Sequence, residues 1–267
     1  MTLWQAVILG FVQGITEFLP ISSSGHLVVL EHLWKLPKEA RLPLTAMLHG
    51  ATLLAVISYF APQLGRLVAG LGARDSIKRS TSWRMVGFII FASVPAAGVG
   101  LLLDEVIERV FTSPLLVGLM LLVTGGMLLG TRRIPAQPGH RGQPLGGTGW
   151  VRALLVGVAQ AIAILPGISR SGATISSGLY LGMERQQAFE FSFLLAIPAI
   201  TGAFFLEIRK VRLAVLSPLI IGVSMTAAFA SGLATLVVLG RAVAGRKLYL
   251  FGFYCWLAGL LVLIFLR

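Results

Sequence analysis

Two short stretches of this chain hold most of the polar and ionisable side chains that could form an anion-binding site. The first, QGITEFLPISSSGH, covers residues 13–26, and the second, LPGISRSGAT, covers residues 165–174. Gln13 and Glu17 are four residues apart, so they share one face of a helix. Arg170 is a planar, bidentate donor suited to phosphate oxygens. The candidate site residues are Gln13, Glu17, Ser22, Ser23, Ser24, His26, Ser169, Arg170, Ser171 and Thr174.

Each stretch has the pattern of a helix, a break and a second helix. Pro20 ends the first helix, and one of the serines 22–24 caps a helix that we predict over residues 25–36. The Pro-Gly pair at 166–167 breaks the second stretch after residue 165, and its serines cap a helix from about Gly172. Backbone N–H groups and hydroxyls at such helix N-termini bind anions. We therefore expect both turns to face one anionic ligand.

The elements that must position these residues are predicted to be membrane-spanning helices. The chain is 56% hydrophobic and 12% charged, whereas soluble domains carry about a quarter of charged residues. Six apolar stretches approach the roughly 20 residues that cross a bilayer as a helix. They cover residues 44–61, 85–103, 115–130, 189–206, 213–239 and 248–266. We predict an all-α polytopic membrane protein with about six transmembrane helices and two re-entrant helical hairpins.

Ionisable side chains within such segments indicate a functional cavity. An ionisable group inside the bilayer is costly and as a rule faces a cavity with a partner. We expect Glu17 to pair with His26 or with Arg170 and to define this cavity. His49 is a weaker candidate for the same cavity. Polar side chains that only hydrogen-bond between helices are the alternative, which we prefer for Gln160.

The two stretches match each other when the chain is shifted by 147 residues. Identical residues recur at this offset: Gly10 and Gly157, Gln13 and Gln160, Ile21 and Ile168, Ser22 and Ser169, Ser24 and Ser171, and Gly25 and Gly172. The match predicts a duplication within one membrane domain, residues 1–267. Repeat 1 covers about 1–131 and repeat 2 about 150–267, joined by a basic cytoplasmic loop, 132–149.

The loop charges predict how the two repeats are oriented. Basic residues concentrate in the regions 62–84 and 131–152, which the positive-inside rule places in the cytoplasm. Residues 104–109 hold three acids and one base, as expected outside. The repeats then enter from opposite faces, as in an inverted repeat with broken helices near the midplane, and both termini lie outside. Residues 207–212, with three bases and one acid, do not fit this assignment.

Several classes of protein are excluded by the same sequence. The net charge of +12 lies in loops between spans, so it indicates anionic headgroups and not nucleic acid. Cys255 is the only cysteine, so neither an intramolecular disulfide nor a cysteine-based zinc cluster is expected. The N-terminus lacks the features of a cleaved signal peptide. The chain has neither the G-x-S-x-G of α/β-hydrolases nor an ATP-binding P-loop.

These motifs resemble the bacterial undecaprenyl pyrophosphate phosphatase family, the bacitracin-resistance type. The resemblance rests on residues 13–26, on PGISRSGAT at 166–174, on FSFLLAIPAI at 191–200 and on HGATLLAV from His49, and it spans the chain. It implies six spans and two re-entrant hairpins in an inverted repeat. A second phosphatase family, the PAP2 type, also uses S-G-H and S-R. It requires a histidine where this chain has Ser176, so we set that family aside.

The resemblance implies roles for the candidate residues. Glu17, Ser23, His26 and Arg170 would be catalytic, and Glu17 would hold the metal. Many family members have Glu at the position of Gln13, so a metal here would depend on Glu17, substrate oxygens and water. Mg²⁺ accepts such a site, with Ca²⁺ as the alternative. The implied substrate-binding residues are Gln13, Ser22, Ser24, Ser169, Ser171 and Thr174.

The resemblance also implies the reaction and its setting. The activity would be hydrolysis of undecaprenyl, or another polyprenyl, pyrophosphate to the monophosphate and inorganic phosphate, which recycles the lipid carrier of peptidoglycan synthesis. Ser23, a water molecule or His26 would be the nucleophile. Bacitracin would compete for this lipid and resistance would follow, in a bacterial inner membrane with the site facing the periplasm. A transporter or flippase of a lipid phosphate is the alternative function, and a second copy of the chain, forming a homodimer, is among the candidate partners.

Overall fold

The computed structural model describes residues 1–102, 114–135, 149–209 and 216–265, and all regular secondary structure in these residues is helical. The α-helices are α1 Leu3–Phe18, α2 Ser23–Leu33, α3 Lys38–Tyr59, α4 Ala61–Leu71, α5 Ser76–Leu102, α6 Pro114–Gly130, α7 Trp150–Ile162, α8 Arg170–Tyr180, α9 Arg185–Arg209, α10 Pro218–Ala244 and α11 Leu250–Phe265. A 3₁₀ turn, Thr131–Arg133, follows α6. The predicted all-α class is confirmed.

Five helices of the described chain are long and apolar enough to cross a membrane, which confirms a multi-pass membrane protein. They are α3, α5, α6 together with its 3₁₀ turn, α9 and α10. The sixth predicted span corresponds to α11, which has 16 residues. At a rise of about 1.5 Å per residue it covers roughly 24 Å of a hydrocarbon core about 30 Å thick. Helices α1 and α7 are also short and apolar.

The breaks in the two polar stretches lie where the prolines predict them, but the helix boundaries differ by two or three residues. Helix α2 begins at Ser23 and α8 at Arg170, two residues before the predicted starts. Helix α7 ends at Ile162 and not at 165, because the N–H groups of Ile164 and Leu165 bond to carbonyls three residues back. This tightens the chain into turns ahead of α8.

The basic region 62–84, which we predict as a loop, is helical over most of its length. It contains α4 and the first turns of α5. The Asp75 side chain accepts hydrogen bonds from the backbone N–H groups of Ile77 and Lys78 at the start of α5, as N-terminal carboxylates do. The acidic region 104–109, residues 136–148 of the predicted loop and residues 210–212 lie outside the described residues.

The predicted halves of the chain interlock. Helix α1 packs on α10, α7 on α5, α6 on α11 and α3 on α9. A Cβ atom at Gly10 would overlap the Ser224 carbonyl, and one at Gly157 would overlap the Ala92 carbonyl. Small residues allow such close approach between membrane helices. Each of these helix pairs joins one predicted half to the other, which supports the predicted duplication. The boundaries of the repeats stay a prediction.

An aromatic cluster fixes the end of α1. Phe18 is fully buried, and its ring packs edge-on against Phe193 of α9 with centroids 5.7 Å apart. Phe60 and Phe189 contact the same Phe193 ring at 5.7 and 5.0 Å. Such pairs stabilise by about 0.5–1.5 kcal/mol beyond their buried area. Because Phe18 follows Glu17 directly, this packing sets where the Glu17 carboxylate lies.

Candidate active site

A cavity of about 960 Å³ lies between the two broken-helix segments and helices α3, α5 and α9. Six of the ten predicted site residues line it: Glu17, Ser22, Ser23, Ser24, Ser169 and Arg170. Gln13, Ser171 and Thr174 are at most 1% exposed and lie behind this lining. The structure therefore brings both polar stretches to one cavity, as the sequence predicts.

The Glu17 carboxylate is the centre of the hydrogen-bond network in this cavity. Its Oε2 atom accepts a hydrogen bond from Ser23 Oγ at 2.7 Å and another from Gln13 Nε2 at 3.2 Å. Its Oε1 atom accepts from Arg170 Nη2 at 3.0 Å. The side chains of Glu17 and Arg170 are only 8% and 15% exposed. This arrangement joins a hydroxyl, a carboxylate and a guanidinium that come from both halves of the chain.

His26 does not reach Glu17 and is not among the residues that line the cavity. Its Nδ1 atom lies 2.7 Å from the Ser22 carbonyl oxygen, and its Nε2 atom lies 2.6 Å from the Tyr254 hydroxyl. A carbonyl oxygen only accepts, so Nδ1 carries the proton, and in a neutral ring Nε2 accepts from Tyr254 O–H. Of the two partners predicted for Glu17, the structure provides Arg170 and not His26. His26 instead holds the turn before Ser23.

The turn between α1 and α2 has an unusual backbone conformation. Ser22 has a φ of 70°, in the left-handed region that residues other than glycine rarely adopt. Its carbonyl is bound by His26, and its hydroxyl lies 3.3 Å from that of Ser24. These contacts hold the strained residue, and the next residue, Ser23, faces Glu17.

The second turn is held by its own serine cap and by a threonine of α6. Ser169 caps α8 by accepting a hydrogen bond from the Gly172 N–H at 3.2 Å. Thr124 of α6 donates to the Gly167 carbonyl at 3.0 Å and accepts from the Ser169 N–H at 3.2 Å. Gly167 has a φ of +93°, which glycine adopts without strain. The turn therefore presents the N-terminus of α8 to the cavity.

Ser171 and Thr174 support this helix from behind. Thr174 Oγ1 donates to the Arg170 carbonyl at 2.8 Å and lies 2.5 Å from the Ser192 hydroxyl of α9. Ser171 Oγ lies 3.2 Å from Ser169 Oγ. These contacts position the first turn of α8, and the role of Ser171 and Thr174 in substrate binding stays a prediction.

A second pair of ionisable side chains lies along the same cavity. His49 Nδ1 and Glu207 Oε2 are 2.9 Å apart, and both residues line the cavity. Arg41 and Arg209 line it as well. His49 thus occupies the cavity that we predict for it. Sequence reasoning did not find Glu207 as its partner, because 158 residues separate them and no local pattern relates α3 to the end of α9.

The oxygen atoms near Glu17 suit a hard divalent cation. Gln13 Oε1 is fully buried and has no hydrogen-bond partner among the described residues. In the same described ranges, no three His, Cys, Asp or Glu side chains group as metal ligands. Mg²⁺ commonly uses one or two carboxylates together with substrate phosphates and water. The residues present fit such an ion if ligand oxygens complete the coordination by Glu17 and Gln13.

A model of the family described as bacitracin resistance protein BacA matches residues 6–261 of the chain. The chain belongs to this family. It is 42% identical to an undecaprenyl-diphosphatase of Desulfosudis oleivorans, over 96% of this chain and 95% of that relative. A Desulforapulum autotrophicum protein of the same name is 40% identical over 99% and 98%. One from Alkaliphilus metalliredigens is 37% identical over 99% of both chains. The family predicted from the motifs is confirmed.

Proposed function

We propose that this protein hydrolyses undecaprenyl diphosphate to the lipid monophosphate and inorganic phosphate. The observation that carries this proposal is the Glu17 carboxylate, which binds the Ser23 hydroxyl and the Arg170 guanidinium inside a membrane-embedded cavity. Family membership and the names of the relatives support the same reaction. The reaction recycles the lipid carrier for peptidoglycan synthesis and accounts for the bacitracin resistance in the family's description.

The first step uses Ser23 as the nucleophile. Ser23 Oγ attacks the terminal phosphorus while its proton passes to Glu17 Oε2, 2.7 Å away. The bond between that phosphorus and the bridging oxygen breaks, and the lipid monophosphate leaves. Water then attacks the phosphoserine, so that inorganic phosphate departs and Ser23 regains its proton. The net change is one water consumed for each anhydride bond cleaved.

The positive groups of the second half stabilise the charge that develops on the phosphate. Phosphoryl transfer depends mostly on positioning and electrostatic stabilisation. Arg170 lies against Glu17, and the N-terminus of α8 begins at the same residue, so both donors converge on the reacting group. A bound Mg²⁺, or Ca²⁺ as the alternative, would neutralise further phosphate charge from the side of Glu17 and Gln13.

The contacts of Glu17 and His26 favour Ser23 over the other two candidate nucleophiles. Both ring nitrogens of His26 are occupied by Ser22 and Tyr254, so the ring has no free nitrogen for attack. The Ser23 hydroxyl already donates a hydrogen bond to Glu17 Oε2 at 2.7 Å, which is the contact that proton transfer to this base requires.

The walls of the cavity suit a lipid diphosphate. Apolar side chains from α2, α3 and α9 line it beside the polar turns, among them Leu27, Val28, Leu42 and Phe205. Such walls accept isoprenoid carbons by the hydrophobic effect. Arg41, His49 and Arg209 add positive or protonatable groups along the same cavity. A free sugar phosphate or nucleotide would leave the apolar part without a partner.

The setting of the reaction is part of the same proposal. The loop charges and the family support a bacterial inner membrane with the cavity opening towards the periplasm. Bacitracin is proposed to act by competing for the lipid diphosphate substrate. Assembly as a homodimer stays a prediction.

The proposal is tested by phosphate release from undecaprenyl diphosphate in detergent, with and without a chelator. Wild type should release phosphate, and Glu17→Gln and Arg170→Ala should each lose most of the rate. Thr226→Ala is the control, because the Thr226 hydroxyl is exposed and bonds within its own helix. A folded wild type that binds the lipid but releases no phosphate would contradict hydrolysis and favour transport, which needs no bond cleavage.

A further inference from the structure

Gln160 is a buried amide without a partner in the wall of the cavity. It is 2% exposed, it lines the cavity, and neither Nε2 nor Oε1 has a hydrogen-bond partner among the described residues. Its residue type predicts an interhelical hydrogen bond, but among the described residues its side chain makes none. Arg170 Nη1 is also buried and has no partner in the described part of the chain, although Nη2 of the same guanidinium binds Glu17.

Unsatisfied polar groups of this kind indicate a ligand. An unmade hydrogen bond on a buried group costs about 1–3 kcal/mol, and more when the group is charged. The three unpaired atoms belong to two residues that line one cavity. An anion with several acceptor oxygens would satisfy the donors of both residues at once.

A comparison with Gln13 explains why Gln160 has no internal partner. The two glutamines are equivalent at the offset of 147 residues, and Gln13 Nε2 donates to Glu17 four residues later. The residue four positions after Gln160 is Ile164, which also lines the cavity. An isoleucine accepts no hydrogen bond, so the donors of Gln160 are left for a ligand.

The positions of the other groups indicate which phosphate would bind there. The terminal, reacting phosphorus must lie within reach of Ser23 Oγ, next to Glu17. The phosphate that stays on the lipid needs donors of its own in the remainder of the polar wall. Gln160, Arg170 Nη1 and the N-terminus of α8, capped by Ser169, supply them. The Arg170 guanidinium lies between the two positions because Nη2 is engaged at Glu17 and Nη1 is not.

We propose that Gln160 and Arg170 Nη1 bind the phosphate that remains attached to the lipid, and that Gln160 thereby sets the affinity for the monophosphate product. This inference rests on the proposed function, since it assigns the two phosphates of the substrate to two parts of one cavity. Gln160 is a binding residue and takes no proton. Its loss should therefore change ligand affinity much more than kcat.

The test compares two ligands that share only one of these positions. Binding of undecaprenyl monophosphate and of inorganic phosphate is measured by calorimetry in detergent for wild type, Gln160→Leu and Gln160→Glu. Gln160→Leu should weaken lipid monophosphate binding about tenfold, the usual effect of losing a hydrogen bond to a charged group. Binding of inorganic phosphate next to Ser23 should change less than about twofold. Gln160→Glu should weaken the lipid ligand further by charge repulsion.

The matched control is Gln63→Leu. Gln63 also has a buried Oε1 without a partner among the described residues, but it lies on α4 and is not among the residues that line the cavity. This variant should bind both ligands as wild type does. Gln160→Leu should unfold at the same temperature as wild type or higher, because it removes an unpaired polar group from the interior. A binding defect would then not reflect misfolding.

Each other outcome overturns a specific statement. Unchanged binding of both ligands to folded Gln160→Leu would show that Gln160 takes no part in binding. Weaker binding of inorganic phosphate alone would place Gln160 at the reacting phosphate instead. If the wild type released no phosphate while Gln160→Leu still weakened binding of the lipid monophosphate, hydrolysis would be refuted and the proposed role of Gln160 in binding would stand. The two proposals therefore fail separately.

Discussion

The two broken-helix segments have similar hydrogen-bond frames but different chemistry. In both, hydroxyls two residues apart lie close together, Ser22 and Ser24 at 3.3 Å, and Ser169 and Ser171 at 3.2 Å. The segments differ in the side chains that could react. The first has Glu17 and Ser23, and the equivalent positions of the second hold an isoleucine and Arg170. After a duplication, one copy can provide the nucleophile and base while the other provides the anion-binding groups.

Each turn is also anchored by a helix from the other half. The Pro20 carbonyl accepts a hydrogen bond from Cys255 Sγ of α11 at 3.3 Å. The Gly167 carbonyl, at the equivalent position, accepts one from Thr124 of α6 at 3.0 Å. Because each half fixes the turn of the other, the cavity depends on both halves being packed together. Both segments thus share one frame. We expect a substitution in the first segment to change the reaction and one in the second segment to change anion binding.

The largest effect is expected from Glu17→Gln, which removes the base and keeps the shape of the side chain. We expect kcat to fall by about 10²- to 10⁴-fold, the usual contribution of a general base. Phosphate release at saturating lipid diphosphate measures it. Ile164→Leu, at the equivalent position of the second segment, is the control and should retain kcat within about twofold, since it conserves volume. If Ile164→Leu lowered kcat as much as Glu17→Gln, the proposed division of roles between the two segments would be wrong.

Arg170→Lys should have the next largest effect. A lysine keeps the positive charge but loses the planar donor that bonds to Glu17 and presents a second nitrogen to the ligand. We expect kcat/KM to fall by about 10²- to 10³-fold, as for other lost transition-state donors. The double variant with Glu17→Gln should lose less than the product of the two single losses, because the residues act as a unit. Multiplicative losses would indicate independent roles.

The sequence predicts which residues meet at the cavity better than it predicts the contacts that hold them there. Glu17 and Arg170 could be placed together because ionisable groups in apolar segments need a partner away from lipid. The partner of His26 could not be predicted. Tyr254 lies 228 residues away on an apolar helix, and its hydroxyl carries no local signal. The conformation of Ser22 was also missed, because serine has no preference for a positive φ.

Tyr254→Phe should have a moderate effect on the first segment alone. It removes the hydroxyl that fixes the ring of His26 and, through it, the Ser22 carbonyl before Ser23. The loss of one neutral hydrogen bond, about 0.5–1.5 kcal/mol, corresponds to a fall in kcat of about 2- to 12-fold with KM nearly unchanged.

The control for this variant is Tyr249→Phe, five residues earlier in the chain. Tyr249 contacts Arg132 and Phe253 through its ring, and phenylalanine keeps both contacts, so activity should stay at the wild-type level. If Tyr254→Phe raised KM and left kcat unchanged, Tyr254 would contribute to lipid binding and not to the position of Ser23.

The smallest effects concern stability and should have opposite signs in the two turns. Ser22→Gly removes a side chain from a residue with φ of 70°, where a left-handed conformation costs about 1–2 kcal/mol for residues other than glycine. Part of this gain is offset by the greater freedom of glycine in the unfolded chain. Ser169→Ala removes the cap of α8 and should cost about 1 kcal/mol.

Thermal unfolding in detergent measures both variants against wild type. Ser22→Gly should melt at or above the wild-type temperature and still lose activity, because the turn before Ser23 becomes less fixed. Ser169→Ala should melt lower. If Ser22→Gly also melted lower, the contacts of Ser22 with Ser24 would outweigh its backbone strain. The strain would then be a minor feature of the first segment, and the two turns would differ only in their reactive side chains.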